Sequence, residues 1–331
     1  MASLLERKLI VVTGKGGAGK STIAAALGLL GARSGLRTIV VEVGEQDQLR
    51  RFYEDPAPQS SPQDGTTLLR DRAPGIEMEL EPNLWSLSLD PDLDLIEWMR
   101  DLGGRLPARL LASSSSFQYL AAAAPGAKEL VSLVKLHELS AAGKGRYDLV
   151  VFDAPATGHA LAMLASPRTL LAIVRSSPLA QRAADVQEML EDRLHTGYVA
   201  VTRATEMAMG ETLELEEGVR RVLERNFDAV LVNGTLSGRF TRAELARIAS
   251  ATETNRSSRS AEDLELLRSA GTLARVVSDR HRQQQSQISR LRHRDPATGT
   301  SRAVWTVPYI FKPELDLEAV ETIAKRIGRR A

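Results

Sequence analysis

The run Gly14-Lys15-Gly16-Gly17-Ala18-Gly19-Lys20-Ser21 constrains this chain more than any other segment. It follows the apolar run Leu9-Ile10-Val11-Val12 and leads into Thr22-Ile23-Ala24-Ala25-Ala26-Leu27. The order is strand, glycine-rich turn, helix, with the G-x-x-x-x-G-K-S spacing of a phosphate-binding loop. Glycines let the backbone curl so that several N–H groups meet one phosphate, and the helix N-terminus adds its positive dipole end. Lys20 supplies a point charge for the β- and γ-phosphates of ATP or ADP, and the Ser21 hydroxyl is an expected Mg²⁺ ligand. Gly14, Gly16, Gly17, Ala18, Gly19, Lys20, Ser21 and Thr22 are the expected nucleotide contacts.

The rest of the chain repeats the alternation. Strands are predicted at Lys8–Thr13, Arg37–Val43, Leu84–Leu89, Tyr147–Asp153, Tyr198–Thr202, Ala229–Asn233 and Ala303–Val307, with helical patterns between most of them. The first helix should run from Lys20 to Arg33, a shorter one from Ala183 to Leu194, and a long one from Ala261 to Arg294. This is an α/β fold with a doubly wound, mostly parallel sheet. The last helix carries Leu317, Val320, Ile323 and Ile327 on one stripe and should dock on that sheet. With 331 residues and no internal repeat or clear linker, the expected organisation is one domain over 1–331. A helical subdomain is expected at roughly 91–146 and 160–197, and residues 54–75, rich in Pro, Ser, Asp and Gly, read as a mobile loop.

A second chemical element ends the apolar strand Leu149-Val150-Val151-Phe152. Asp153 stands at its carboxyl end, where an acid beside the phosphate loop holds Mg²⁺ directly or through water. Ala154-Pro155-Ala156-Thr157-Gly158-His159 follows, and the backbone N–H of Gly158 is positioned to follow a γ-phosphate.

Gly14–Ser21 with Lys15, taken with Asp153–His159, resembles the ArsA family of arsenite-pump and tail-anchored-protein-targeting ATPases, within a wider group that holds the MinD and ParA ATPases. Asn83–Pro91, Ala124–Leu130, Thr202–Leu215, Val232–Gly234 and Val307-Pro308 also look like segments of that family, so the resemblance covers nearly the whole chain. It implies a P-loop NTPase with an inserted helical subdomain, binding ATP and Mg²⁺ and working as a dimer. By the same resemblance Lys15 is the signature lysine that reaches a partner's nucleotide. Asn233, Val307 and Pro308 would hold adenine, an amide offering both a donor and an acceptor to the base edge.

Two departures from the family pattern matter. Across Arg37–Leu49 the family's water-orienting Asp falls on Gly44, which has no side chain to position water. Glu42 and Glu45 are the acids here that could take a catalytic part, and by the resemblance Glu42 falls where MinD-like relatives carry an acid near Mg²⁺. Nucleotide binding with weak hydrolysis is the expectation, and the partner is either a second copy or an ArsA-like paralogue retaining the acid. The chain also has no cysteine, so neither an interface zinc held by thiolates nor thiolate capture of arsenite can be built from it.

Composition narrows the remaining classes. No apolar run reaches the ~20 residues of a membrane span, and Met1–Lys8 is too short and charged for a signal peptide, so a cytoplasmic protein is expected. A formal net charge of +1 gives no ground to expect nucleic acid as a partner. Two alternatives stay open. In one, apolar residues between Leu93 and Leu120 line a groove for a membrane-protein client, or the protein serves a permease. In the other, the chain is a ParA/MinD-like positioning ATPase.

Overall fold

The computed structural model describes residues 4–44, 48–53, 75–95, 126–141, 146–173, 178–254, 260–292 and 303–329. Its strands are β1 (Leu9–Gly14), β2 (Thr38–Val43), β3 (Met78–Glu81), β4 (Leu84–Leu89), β5 (Leu149–Asp153), β6 (Thr196–Arg203), β7 (Ala229–Thr235) and β8 (Ala303–Pro308). They form one sheet in the order β3-β4-β2-β5-β1-β6-β7-β8, parallel throughout except for β3, which runs antiparallel to β4 at the edge.

The residue pattern explains why this sheet is buried on both faces. In β1, Leu9 and Val11 enter one apolar core while Ile10 and Val12 enter the other. Ile39 and Val41 of β2 and Val150 and Phe152 of β5 join the first; Val40, Leu149 and Val151 join the second. Successive strand side chains point to opposite faces, so a run that is apolar throughout needs cover on both sides. Each of these side chains is almost or fully buried, contributing about 1.5–3 kcal/mol before conformational entropy is set against it.

Helices supply that cover. On the first face lie α3 (Ala127–Ser140), α4 (Thr157–Ile173), α5 (Pro178–Glu191) and α6 (Glu206–Leu223), contributing Leu133, Leu164, Val186 and Leu215 among others. On the second lie α1 (Lys20–Arg33) and α9 (Leu317–Gly328), through Ile23, Leu27, Val320, Ile323 and Ile327. The apolar stripe of the last helix is thus spent on the core, as its sequence predicts, and Asp316 caps its N-terminus by accepting from the Ala319 N–H at 2.9 Å. A short α2 (Gln48–Arg51) follows β2, and α7 (Arg242–Thr254) packs on the long α8 (Ala261–Arg292).

The seven expected strands are present, with bounds shifted by up to two residues. The structure adds β3 and α7, which the sequence pattern does not pick out. The helix expected at 183–194 begins earlier, at Pro178. Residues 54–74 of the expected loop lie outside the described residues, as do 96–125 and 142–145 of the expected helical stretch. Among the described residues no helix is long and apolar enough to cross a membrane.

Candidate functional site

β1 occupies the middle of the sheet, between β5 and β6, and the chain leaves β1 and β5 in opposite directions along it. In open α/β sheets ligands bind outside the carboxyl ends of strands at such a switch. The glycine-rich run sits there. Gly14 has φ +143°, and a Cβ on it would lie 2.1 Å from the Val201 carbonyl oxygen. Gly19 caps α1 with φ +94°, and a Cβ there would lie 2.2 Å from Asn233 Nδ2. Only glycine fits a left-handed backbone pressed this closely against its neighbours.

The loop opens onto a cavity of about 460 Å³ lined by Gly16, Gly17, Gly19, Lys20, Ser21 and Thr22 on one side and by Glu42, Gln48 and Asp153–Ala156 on the other. Gly14 and Ala18 lie beneath it: Ala18 is buried and accepts the Asn233 Nδ2–H bond at 2.9 Å through its carbonyl. Two charges inside the cavity are poorly solvated. Burial pushes the Lys20 ammonium below its ordinary value, against the pull of Asp153. Burial pushes the Asp153 carboxyl up to about 6, opposed by a hydrogen bond from Ser21 and by Lys20, and reinforced by the negative charge of Glu42. Asp153 Oδ1 is buried and has no hydrogen-bond partner among the described residues. A divalent cation fits this arrangement, since Mg²⁺ needs only one or two protein ligands besides phosphate and water. Ser21 and Asp153 are the residues that would hold it.

Glu42 has a different task. Its two carboxylate oxygens accept the Gln48 N–H at 3.1 Å and the Leu49 N–H at 2.9 Å. It therefore caps α2 and folds the segment after β2 back toward the cavity. Glu45 lies outside the described residues. Gly44 has φ +90°, donates its N–H to the Leu89 carbonyl at 2.8 Å, and accepts from the Ser88 hydroxyl. Among the described residues, a Cβ on Gly44 would meet nothing within 4 Å.

Lys15 does not point at the cavity. Its ammonium lies 2.5 Å from Glu211 Oε1 on α6, and Glu211 Oε2 is buried without a partner among the described residues. The sequence gives no sign of that pairing, since the residues are 196 positions apart. Gly158 and His159 belong to the exposed first turn of α4 and do not line the cavity.

A larger cleft of about 810 Å³ lies on the other side of Asn233. Asn233, Gly234, Arg203, Arg280, Tyr309 and Phe311 are among its walls. Val307, expected beside a base, is buried in the core and bonded through its carbonyl to the Thr235 hydroxyl, while Pro308 ends β8. The aromatic pair Tyr309 and Phe311, stacked edge to face at 4.8 Å, reaches the cleft instead. Its signal in the sequence is the Tyr-Ile-Phe run directly after Pro308.

The profile of the anion-transporting ATPase family (ArsA_ATPase) matches residues 7–177. ATPase BagA of Mycobacterium tuberculosis is 27% identical over 247 residues, spanning 73% of this chain and 69% of that protein. ATPase ASNA1 homolog 1 of Paramecium tetraurelia is 30% identical over 164 residues, spanning 49% of this chain and 44% of that protein. ATPase ARSA1 of Chlamydomonas reinhardtii is 24% identical over 265 residues, 65% of this chain and 33% of that protein.

Proposed function

The chain belongs to the anion-transporting (ArsA) ATPase family, and from that premise we propose that it is an ATP-binding switch with a weak hydrolytic centre. One observation carries the reading: Lys20, Ser21 and the buried, unpartnered Asp153 oxygen converge on the cavity in front of a glycine-rich loop. An ammonium and a carboxylate held partly out of water cost stability, and a phosphate with its cation relieves both.

The residues divide the work. Backbone N–H groups of Gly16–Thr22 and the dipole of α1 cradle the phosphates, and Lys20 balances their charge. Ser21 and Asp153 would hold Mg²⁺, which when bound would supply positive charge beside the phosphates. Asn233 faces the nucleobase. Glu42 orients α2 at the cavity wall rather than acting on water. Gly44 leaves the attacking water without an acidic partner at that position, which is why binding should outlast hydrolysis.

Lys15 reaches a second subunit's phosphates once its bond to Glu211 breaks. The partner is a second copy or a paralogue carrying the acid that Gly44 lacks, and the nucleotide sets an open or a closed pair. Arsenite held by thiolates is no part of this scheme, because the chain has no cysteine.

Turnover and molecular mass, measured together, test the reading. The purified chain should bind Mg·ATP and hydrolyse it slowly, and Gly44→Asp should hydrolyse it faster. Rapid steady turnover by the unaltered chain would sink the assignment of Gly44 as a catalytic lesion.

A further inference from the structure

We propose that α8 clamps the loop that meets the nucleobase, and that Gln284 and His281 are the positioning residues of that clamp. The proposal rests on the nucleotide reading above and extends it to residues of a helix remote from the phosphates.

The loop needs an external support. Pairing between β7 and β8 shifts register between Val232 and Thr235, so Asn233 and Gly234 have no register partner on β8, although Asn233 still pairs with Arg203 of β6, and Gly234 takes φ +70°. Backbone groups freed from a sheet must find other partners. Gln284 supplies two of them. Its Oε1 accepts the Leu236 N–H at 2.7 Å and its Nε2 donates to the Gly234 carbonyl at 3.2 Å. One side-chain amide thus pairs with a donor and an acceptor of the loop, as a neighbouring strand would.

His281 adds a third bond one turn away. Its Nδ1 lies 2.7 Å from the Leu236 carbonyl oxygen, which can only accept, so that nitrogen carries the proton. The helix itself is fixed beyond this point by Ile288 and Leu291, both buried in the core. From the clamped loop, Asn233 reaches across to the Ala18 carbonyl of the phosphate loop at 2.9 Å.

α8 and the phosphate loop thus each bond to the stretch Asn233–Leu236, α8 to its backbone and the phosphate loop to the Asn233 side chain. The same helix walls the cleft beside Asn233 through Val277 and Arg280. A base entering the cleft meets an Asn233 whose backbone α8 has already set. The clamp should therefore matter for a ligand with a base and be indifferent to the phosphates alone.

Binding of Mg·ATP and of inorganic tripolyphosphate to the full chain separates these contributions. Gln284→Ala removes two hydrogen bonds from the loop and should weaken ATP by about 10-fold, leaving tripolyphosphate unchanged. His281→Ala should do the same to a smaller extent. His281→Asn, whose amide nitrogen stands near the place of Nδ1, should restore ATP binding, and these two variants carry the test if Gln284→Ala does not fold. ATP affinity equal to that of the unaltered chain, or equal losses for ATP and tripolyphosphate, would overturn the clamp. Failure of the unaltered chain to bind either ligand would overturn the nucleotide reading together with it.

Discussion

Replacing Asp153 by asparagine should make the nucleotide-free protein more stable while disabling its cation site. The carboxyl titrates at about 6 in the folded chain because burial disfavours its charge. An unfolded Asp titrates at ~3.9. This acid is raised rather than depressed, so its ionisation costs folding free energy. Well below pH ~4 it is protonated in both states and costs nothing; the cost grows as pH rises and is complete above about 6. Linkage puts it at about 1.5 kcal/mol at pH 5 and about 3 kcal/mol at pH 7.5. Asparagine is neutral throughout and escapes it. Urea unfolding without nucleotide or Mg²⁺ measures the difference, and at pH 7.5 the variant's midpoint should lie higher by about 1 M. At pH 5 the gap should shrink to about half. Equal midpoints at pH 7.5, or a gap unchanged at pH 5, would refute the claim that this carboxylate is held at a loss for its function.

Other residues yield shorter tests. Gly19→Ala places a Cβ against Asn233 Nδ2 at a left-handed position, which costs about 1–2 kcal/mol in backbone strain and should lower ATP affinity and the melting temperature together. Glu211→Gln breaks a half-exposed ion pair, so stability should change by less than about 1 kcal/mol, while ATP-dependent pairing, followed by light scattering, should strengthen because Lys15 is released. In Gly44→Asp the new Cβ meets no described atom within 4 Å but sits at a φ of +90°, so turnover should rise at least ~10-fold at a stability cost of about 1–2 kcal/mol. Unchanged turnover would place the slow step elsewhere.

The central sheet was legible because its strands are apolar on both faces and bounded by turns. β3 was not: Met78-Glu79-Leu80-Glu81 is short, charged and at an edge, where sequence preference is weakest. α7 was not legible either: it is largely exposed and packs on α8. The phosphate cavity could be read locally, since Gly14–Thr22 are consecutive and Asp153 ends the adjacent strand. Roles that depend on folding could not. Glu42 looks like a second acid beside the cation until the chain turns back and presents the Gln48 and Leu49 N–H groups to it. Asn233 meets Ala18 across 215 positions, and no local pattern announces such a bond.

The function proposed for this chain stands or falls with the loop Gly14–Thr22 holding the phosphates of a nucleotide. Calorimetric titration of Mg·ATP into the unaltered chain and into Lys20→Ala tests it directly. Saturable binding by the unaltered chain, weakened about 10–100-fold by loss of the charged hydrogen bonds in the variant, is the expected result. Equal affinity in both proteins, or no binding in either, would contradict the account.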